Sequence, residues 1–148
     1  MKAHLLTWLA LALWAVLIVA GGVVYFHGRP EPSADIRQRL ALSAEERNDV
    51  LKEMRGMLVS LQGIQAGLAA HDMGKVAAAA KTSGMAEAAD PALEAKLPAP
   101  WKNLATAAHT GFDEVVKAVS AGAKADAIAA KLSAGLESCV ACHATYRL

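Results

Sequence analysis

Several residue types are scarce in this chain of 148 residues, and each scarcity argues against a class of protein. Aromatic residues make up only 5%, and β-branched residues are sparse after residue 30, so helices are favoured over a sheet. The two cysteines, Cys139 and Cys142, have no second pair that would complete a structural zinc site. A net charge of +1 without a clustered basic patch argues against a nucleic-acid-binding protein.

Hydrophobic residues, in contrast, make up 55% of the chain, and many are concentrated near its start. The run Leu5–Phe26 contains no charged residue. Its 22 residues exceed the roughly 7–15 of a signal-peptide core and match the roughly 20 of a membrane span. Trp8 and Tyr25 near its ends suit the membrane interfaces. The sequence predicts a membrane anchor over 1–28, with cleavage near Gly22 and a soluble periplasmic product as the alternative.

The remainder divides into a linker over 29–42 and a helical domain over 43–148. The linker contains Pro30 and Pro32, which break regular structure. Ser43 and Glu46 have the spacing of a capping box, so a helix is expected to start there.

Four amphipathic helices are predicted in this domain, with no strand. In the first, apolar residues alternate at spacings of four and three, as in a heptad. These residues are Val50, Met54, Met57, Leu61, Ile64 and Leu68. Asp72 suits the N-cap of the second helix, which should run to about Ser83.

A proline-containing connection over 86–100 is expected to precede the third helix, which starts near Pro100. Gly122 ends it, and the fourth helix from about Asp126 carries Cys139 and His143 on one side. The sequence therefore predicts an all-α fold, an antiparallel four-helix bundle with an N-terminal transmembrane helix.

The fourth helix contains the motif Cys139-Val140-Ala141-Cys142-His143. Two thiols three residues apart on a helix can bond the two vinyl groups on one edge of a porphyrin, and the adjacent histidine reaches the iron. A redox Cys-x-x-Cys would require a βαβ context, and a disulfide between these two positions would close almost no loop. The motif predicts one covalent haem c with His143 as an axial ligand, and hence an exported protein.

The closing segment, which continues through Ala144-Thr145-Tyr146-Arg147, resembles that of the cytochrome c′ family, the class II c-type cytochromes. The resemblance covers residues 45–148 and implies a four-helix bundle with the haem motif at its C-terminus. It departs from typical members in the retained anchor and in a short loop between the first two helices.

The resemblance also bears on the other axial position. Met54 falls where the family's distal residue lies, so the resemblance implies Met54 as the second iron ligand, with Met57, His109 or a vacant position as alternatives. It implies that Phe112 packs on the haem. It also implies that Arg147 shields the proximal face and assists a propionate.

These expectations define a function. The chain is predicted to transfer single electrons in a periplasmic or membrane redox chain, on the periplasmic side of the bacterial inner membrane. Its partners would be redox proteins, with a homodimer expected only by family analogy. A five-coordinate protein that binds nitric oxide or carbon monoxide is the alternative. An enzyme such as a peroxidase is disfavoured, because the seam near the distal position offers only Met, Leu, Ile and Val.

Overall fold

A computed structural model describes residues 2–28, 35–88 and 91–148. The chain separates into two compact units, Met1–Ile36 and Arg37–Leu148. Regular structure is almost entirely helical, which confirms the all-α prediction. Residues 29–34 of the predicted linker and 89–90 of the predicted connection lie outside the described residues.

The first unit contains one helix, α1 (Lys2–His27). It is apolar all round, because no face of the run carries charge. Its segment Leu6–Phe26 has a mean hydropathy of 2.4 and is long and apolar enough to cross a membrane. The described large apolar side chains of this segment are exposed, so they have no protein core of their own.

The second unit starts its first long helix, α2 (Ala44–Ala69), at the predicted capping box. The Glu46 amide donates to the Ser43 hydroxyl at 3.2 Å, and the Ser43 amide donates to the Glu46 carboxylate at 2.8 Å. Lys96 also donates to this carboxylate, and its bond, with those from Ser43, lowers the pKa of Glu46 to about 2. The cap therefore fixes where α2 begins.

The next helix, α3 (Met73–Lys81), follows a tight reversal of the chain. His71, an exposed residue with φ of 54°, makes the turn. Asp72 then caps α3 by accepting from the Lys75 amide at 2.9 Å, as predicted. The helix ends at Lys81, two residues before the predicted end.

The predicted connection between the second and third helices is not wholly irregular. It contains a 3₁₀ turn (Met85–Glu87) and the short helix α4 (Pro91–Glu94), which starts at a proline suited to a first helical turn. Helix α5 (Ala99–Ser120) has Pro100 in its first turn, as predicted. Gly122, with φ of 72°, separates it from α6 (Ala125–Thr145).

Close packing joins α2 to α3, α3 to α5, and α5 to α6. Two clusters of buried apolar residues result. The lower cluster consists of Ile64, Val76, Ala80, Phe112, Val115, Ala118, Ile128 and Leu132. The upper cluster consists of Leu40, Val50, Leu93, Leu97, Trp101 and Tyr146.

A two-residue parallel strand pair was not predicted. Strand β1 (Gln38–Arg39) pairs with β2 (Tyr146–Arg147), with Gln38 opposite Tyr146. No strand signal is visible in the sequence, because two residues are too few for an alternating pattern. The compact unit therefore begins at Arg37, and the second half of the segment predicted as a linker packs on the end of the chain.

Candidate functional site

The Cys-x-x-Cys-His motif occupies the last turns of α6. Cys139, Cys142 and His143 are three and four residues apart, so they share one face of the helix. Both cysteines are half-buried and unbonded, and the His143 residue is exposed. Burial, with a smaller contribution from Cys139, raises the pKa of the Cys142 thiol. Burial therefore favours the neutral form of the Cys142 thiol.

A cavity of about 60 Å³ lies between α2, α5 and α6 at the level of this motif. The three motif residues share it with Met54 and Met57 of α2. The structure thus brings together the five residues predicted as cysteine attachment points and iron ligands. The remaining wall is largely apolar. It consists of Val50, Glu53, Trp101, Leu104, Ala105, Ala108, His109 and Ser138.

A second cavity, of about 250 Å³, shares four of these residues: Met54, Trp101, Cys142 and His143. Arg147 lines it, as does Arg37. Its floor comes from the strand pair and its neighbours, because Leu40, Tyr146 and Leu148 also contribute.

Two hydrogen bonds link Arg37 to the C-terminal end of the chain, one to His143 and one to Arg147. The Arg37 guanidinium donates to the His143 carbonyl at 3.0 Å, and the Arg147 guanidinium donates to the Arg37 carbonyl at 3.3 Å. The His143 carbonyl belongs to the last turn of α6, where carbonyls have no partner within the helix. Arg37 therefore closes the helix end that carries the motif.

A buried ion pair that was not predicted from the sequence lies at the 60 Å³ cavity. His109, only 2% exposed, bonds through Nε2 to Glu53 at 2.7 Å and through Nδ1 to the Ser83 carbonyl at 2.8 Å. Burial opposes protonation of His109, but the bonds to Glu53 and Ser83 outweigh it and raise the pKa of the imidazole. The signal was a histidine beside Ala108 on an apolar helix face, where a polar side chain requires a partner.

This pair bears on two earlier expectations. His109 was an alternative iron ligand, but both of its ring nitrogens are engaged in hydrogen bonds, which leaves no lone pair for iron in this arrangement. The seam of α2 offers only Met, Leu, Ile and Val near Met54, as expected, but the cavity beside Met54 is also lined by Glu53 and His109, which lie outside that seam. The prediction that the chain is not an enzyme stays a prediction.

Phe112 lies away from the 60 Å³ cavity. It is buried in the lower cluster and faces Cys139 only across a cleft of about 10 Å³. Trp101, in contrast, lines both the 60 Å³ cavity and the 250 Å³ cavity beside the motif, and Tyr146 lines the second of them.

Within the described ranges, no group of three or more His, Cys, Asp or Glu side chains is arranged to hold a metal ion. A site built only from such ligands is therefore not part of the geometry seen there. No protein-family model, curated protein or solved structure matches this chain.

Proposed function

We propose that this protein is a c-type cytochrome of the cytochrome c′ type that transfers single electrons. Cys139 and Cys142 would hold one haem covalently, and His143 and Met54 would be the axial ligands. The observation that carries the proposal is that Met54, distant in sequence, lines both cavities beside Cys142 and His143. Bound haem would supply an iron centre that accepts and releases one electron.

The donor set fits this group. Two unbonded thiols, an imidazole and a thioether are the side chains that c-type haem requires, and they share one cavity wall. The cavity of about 60 Å³ is small compared with ligand pockets, which usually measure about 300 Å³ or more. A porphyrin held by these residues would therefore lie partly at the surface, where His143 is exposed.

The protein residues would then tune the electron-transfer site. Trp101, Leu104 and Ala108 would shield a bound haem from water, which would disfavour the more highly charged oxidised state. A methionine ligand favours ferrous iron and acts in the same direction. Arg37 and Arg147 add positive charge at the second cavity, where an anionic propionate would be accommodated.

The finer architecture belongs to the same proposal. Helices α2, α3, α5 and α6 would form an antiparallel four-helix bundle, supported by the tight turn at His71 and Asp72 and by Gly122 between α5 and α6. Helix α1 would anchor the domain on the periplasmic face of the inner membrane. Anchoring would raise its effective concentration near membrane-bound redox partners.

Covalent haem attachment is the direct test. After export with the haem-attachment machinery, a denaturing gel of the full chain should show haem peroxidase staining at its mass. The double variant Cys139→Ser/Cys142→Ser should lose the stain, whereas Ser133→Ala, on the exposed side of α6, should keep it. An unstained wild-type chain, or full staining of the double variant, would contradict the proposal.

A further inference from the structure

The Glu53–His109 pair has geometry beyond what a simple buried charge needs. A backbone carbonyl and a carboxylate both accept hydrogen bonds, so both ring nitrogens of His109 donate. The ring, on α5, is thereby fixed between α2 at Glu53 and the turn after α3 at Ser83. Three elements meet at one side chain.

The Glu53–His109 bond joins α2 to α5 at the 60 Å³ cavity, which both residues line. On one side of this bond α2 is held by Val50 in the upper cluster, and on the other by Ile64 in the lower cluster. The α2 residues that line the cavity are Val50, Glu53, Met54 and Met57. Met54 packs against the upper cluster and Met57 against the lower cluster.

A hydrogen bond fixes what apolar packing leaves adjustable. Burial of apolar surface is non-directional, so the two clusters set the distance of α2 better than its rotation about its own axis. Glu53 precedes Met54 by one residue and Met57 by one helical turn. A short, charge-assisted bond at Glu53 therefore fixes the rotation of the turn that carries Met54.

A methionine ligand depends on such a fixed turn. Its side chain has three rotatable bonds and adapts readily to other packing, so its sulfur is held on one atom only if the backbone is correctly placed. We propose that His109 is a positioning residue for the sixth iron ligand, which holds Met54 over the cavity by its hydrogen bond to Glu53. This inference rests on the proposed haem function.

The test compares ligation in the full-length holoprotein. Glu53→Ala removes the bond, whereas Glu53→Gln keeps an acceptor for His109 at the same place without the charge. Loss of a hydrogen bond to a charged group should change an equilibrium about tenfold or more. Glu53→Ala should accordingly raise the ratio of high-spin to low-spin haem about tenfold and speed carbon monoxide binding, and Glu53→Gln should restore most of the wild-type spectrum.

A matched control separates positioning from general loss of stability. Ser60 is a buried residue of α2 that also bonds to the turn after α3, through the Ser83 hydroxyl at 2.7 Å. Ser60→Ala should lower the unfolding temperature comparably to Glu53→Ala but leave the spin state unchanged. A His109→Gln variant, which keeps one amide donor, gives a second measurement if Glu53→Ala does not fold.

Each outcome decides the inference. A folded Glu53→Ala protein with the wild-type spin state overturns it, as does a spin-state change of equal size in Ser60→Ala. A wild-type protein that is stained for haem but high-spin overturns it too, because no sixth ligand is then positioned. Absence of the haem stain in the wild type would instead contradict the proposed function itself.

Discussion

At the scale of single residues, Met54 and Met57 are distinguished by their neighbours. Both line the 60 Å³ cavity, but of the two only Met54 also lines the cavity beside Arg147 and Leu40. We expect Met54→Ala to convert low-spin spectra to high-spin, to lower the reduction potential and to admit carbon monoxide. Met57→Ala should leave the spectrum nearly intact. It should lower the free energy of unfolding by about 2 kcal/mol or less, the low end for a Met→Ala change, because Met57 is only partly buried.

Optical spectra of both oxidation states and a potentiometric titration measure this pair of variants. If Met57→Ala alone changes the spin state, Met57 is the ligand. If the wild type is already high-spin and neither change alters it, the sixth position is vacant, and binding of nitric oxide or carbon monoxide becomes the function.

His109 gives a pH dependence whose sign follows from its environment. The bonds to Glu53 and Ser83 overcome burial and raise its pKa above the ordinary 6.5. Its contribution to the free energy of unfolding is therefore complete below pH 6.5 and is lost as the pH rises through the folded-state pKa. Urea unfolding across this range should show lower stability at the alkaline end, and His109→Gln should flatten this dependence. If the pH dependence of the free energy of unfolding is unchanged in His109→Gln, other titratable groups cause it.

At the scale of helices, Gly111 and Gly135 allow α5 and α6 to approach closely. A Cβ added at Gly111 would lie 3.2 Å from the Gly135 Cα atom, closer than ordinary van der Waals contact. Gly111→Val should therefore force the helices apart and cost about 1–3 kcal/mol. Gly56, in the middle of α2 with nothing within 4 Å, is the matched control, and Gly56→Ala should stabilise by about 0.5–1 kcal/mol. Denaturant unfolding of both variants checks this prediction, which an equally stable Gly111→Val protein would contradict.

The strand pair predicts where the domain can be truncated. Leu40 is 5% exposed in the upper cluster, and its amide donates to the Arg147 carbonyl at 2.9 Å. Deletion of residues 1–28 behind a cleavable export signal should release a stable domain that carries the motif. Deletion through residue 42 should cost at least the burial of Leu40, about 1.5–3 kcal/mol, because the strand is lost as well.

Thermal unfolding and haem staining of the two truncations measure the difference. Equal unfolding temperatures would mean that the segment from Arg37 to Leu42 contributes nothing. The comparison also separates this segment from α1, which both truncations lack.

At the scale of the whole molecule, features set by local signals were predicted from the sequence, whereas features set by contacts between distant residues were not. The Ser43 capping box, the Asp72 cap and Pro100 act on their own helices, so the sequence was sufficient to place those helix starts. The Glu53–His109 bond joins residues 56 positions apart, and heptad spacing alone did not place Glu53 on the cavity. The pairing of β1 with β2 depends on how the two chain ends meet, which no local pattern encodes.

The same distinction applies to the candidate site. Cys139, Cys142 and His143 were predictable because three residues on one helix face need no tertiary information. Met54 required the seam spacing as well as a family resemblance, and the structure places it at the cavity. Phe112 belongs to the lower cluster, and α5 presents Trp101 and Ala108 to the 60 Å³ cavity, so the packing of Phe112 on a haem stays a prediction.

Helix α1 is the feature that bears on the location of the whole protein. Its segment Leu6–Phe26 is uncharged and its described large side chains are exposed, so lipid is the environment that would bury them. The full chain should remain with membranes after washes with high salt and alkaline carbonate, and detergent should release it.

Val16→Lys, at the middle of the segment, should disfavour insertion by about 2.5–3.5 kcal/mol, whereas Phe26→Lys, at its end, should be tolerated. Fractionation with N-terminal sequencing measures both variants and the wild type. A soluble native protein cut near Gly22 would identify the segment as a signal peptide, because an intact apolar helix of this length would not leave the membrane.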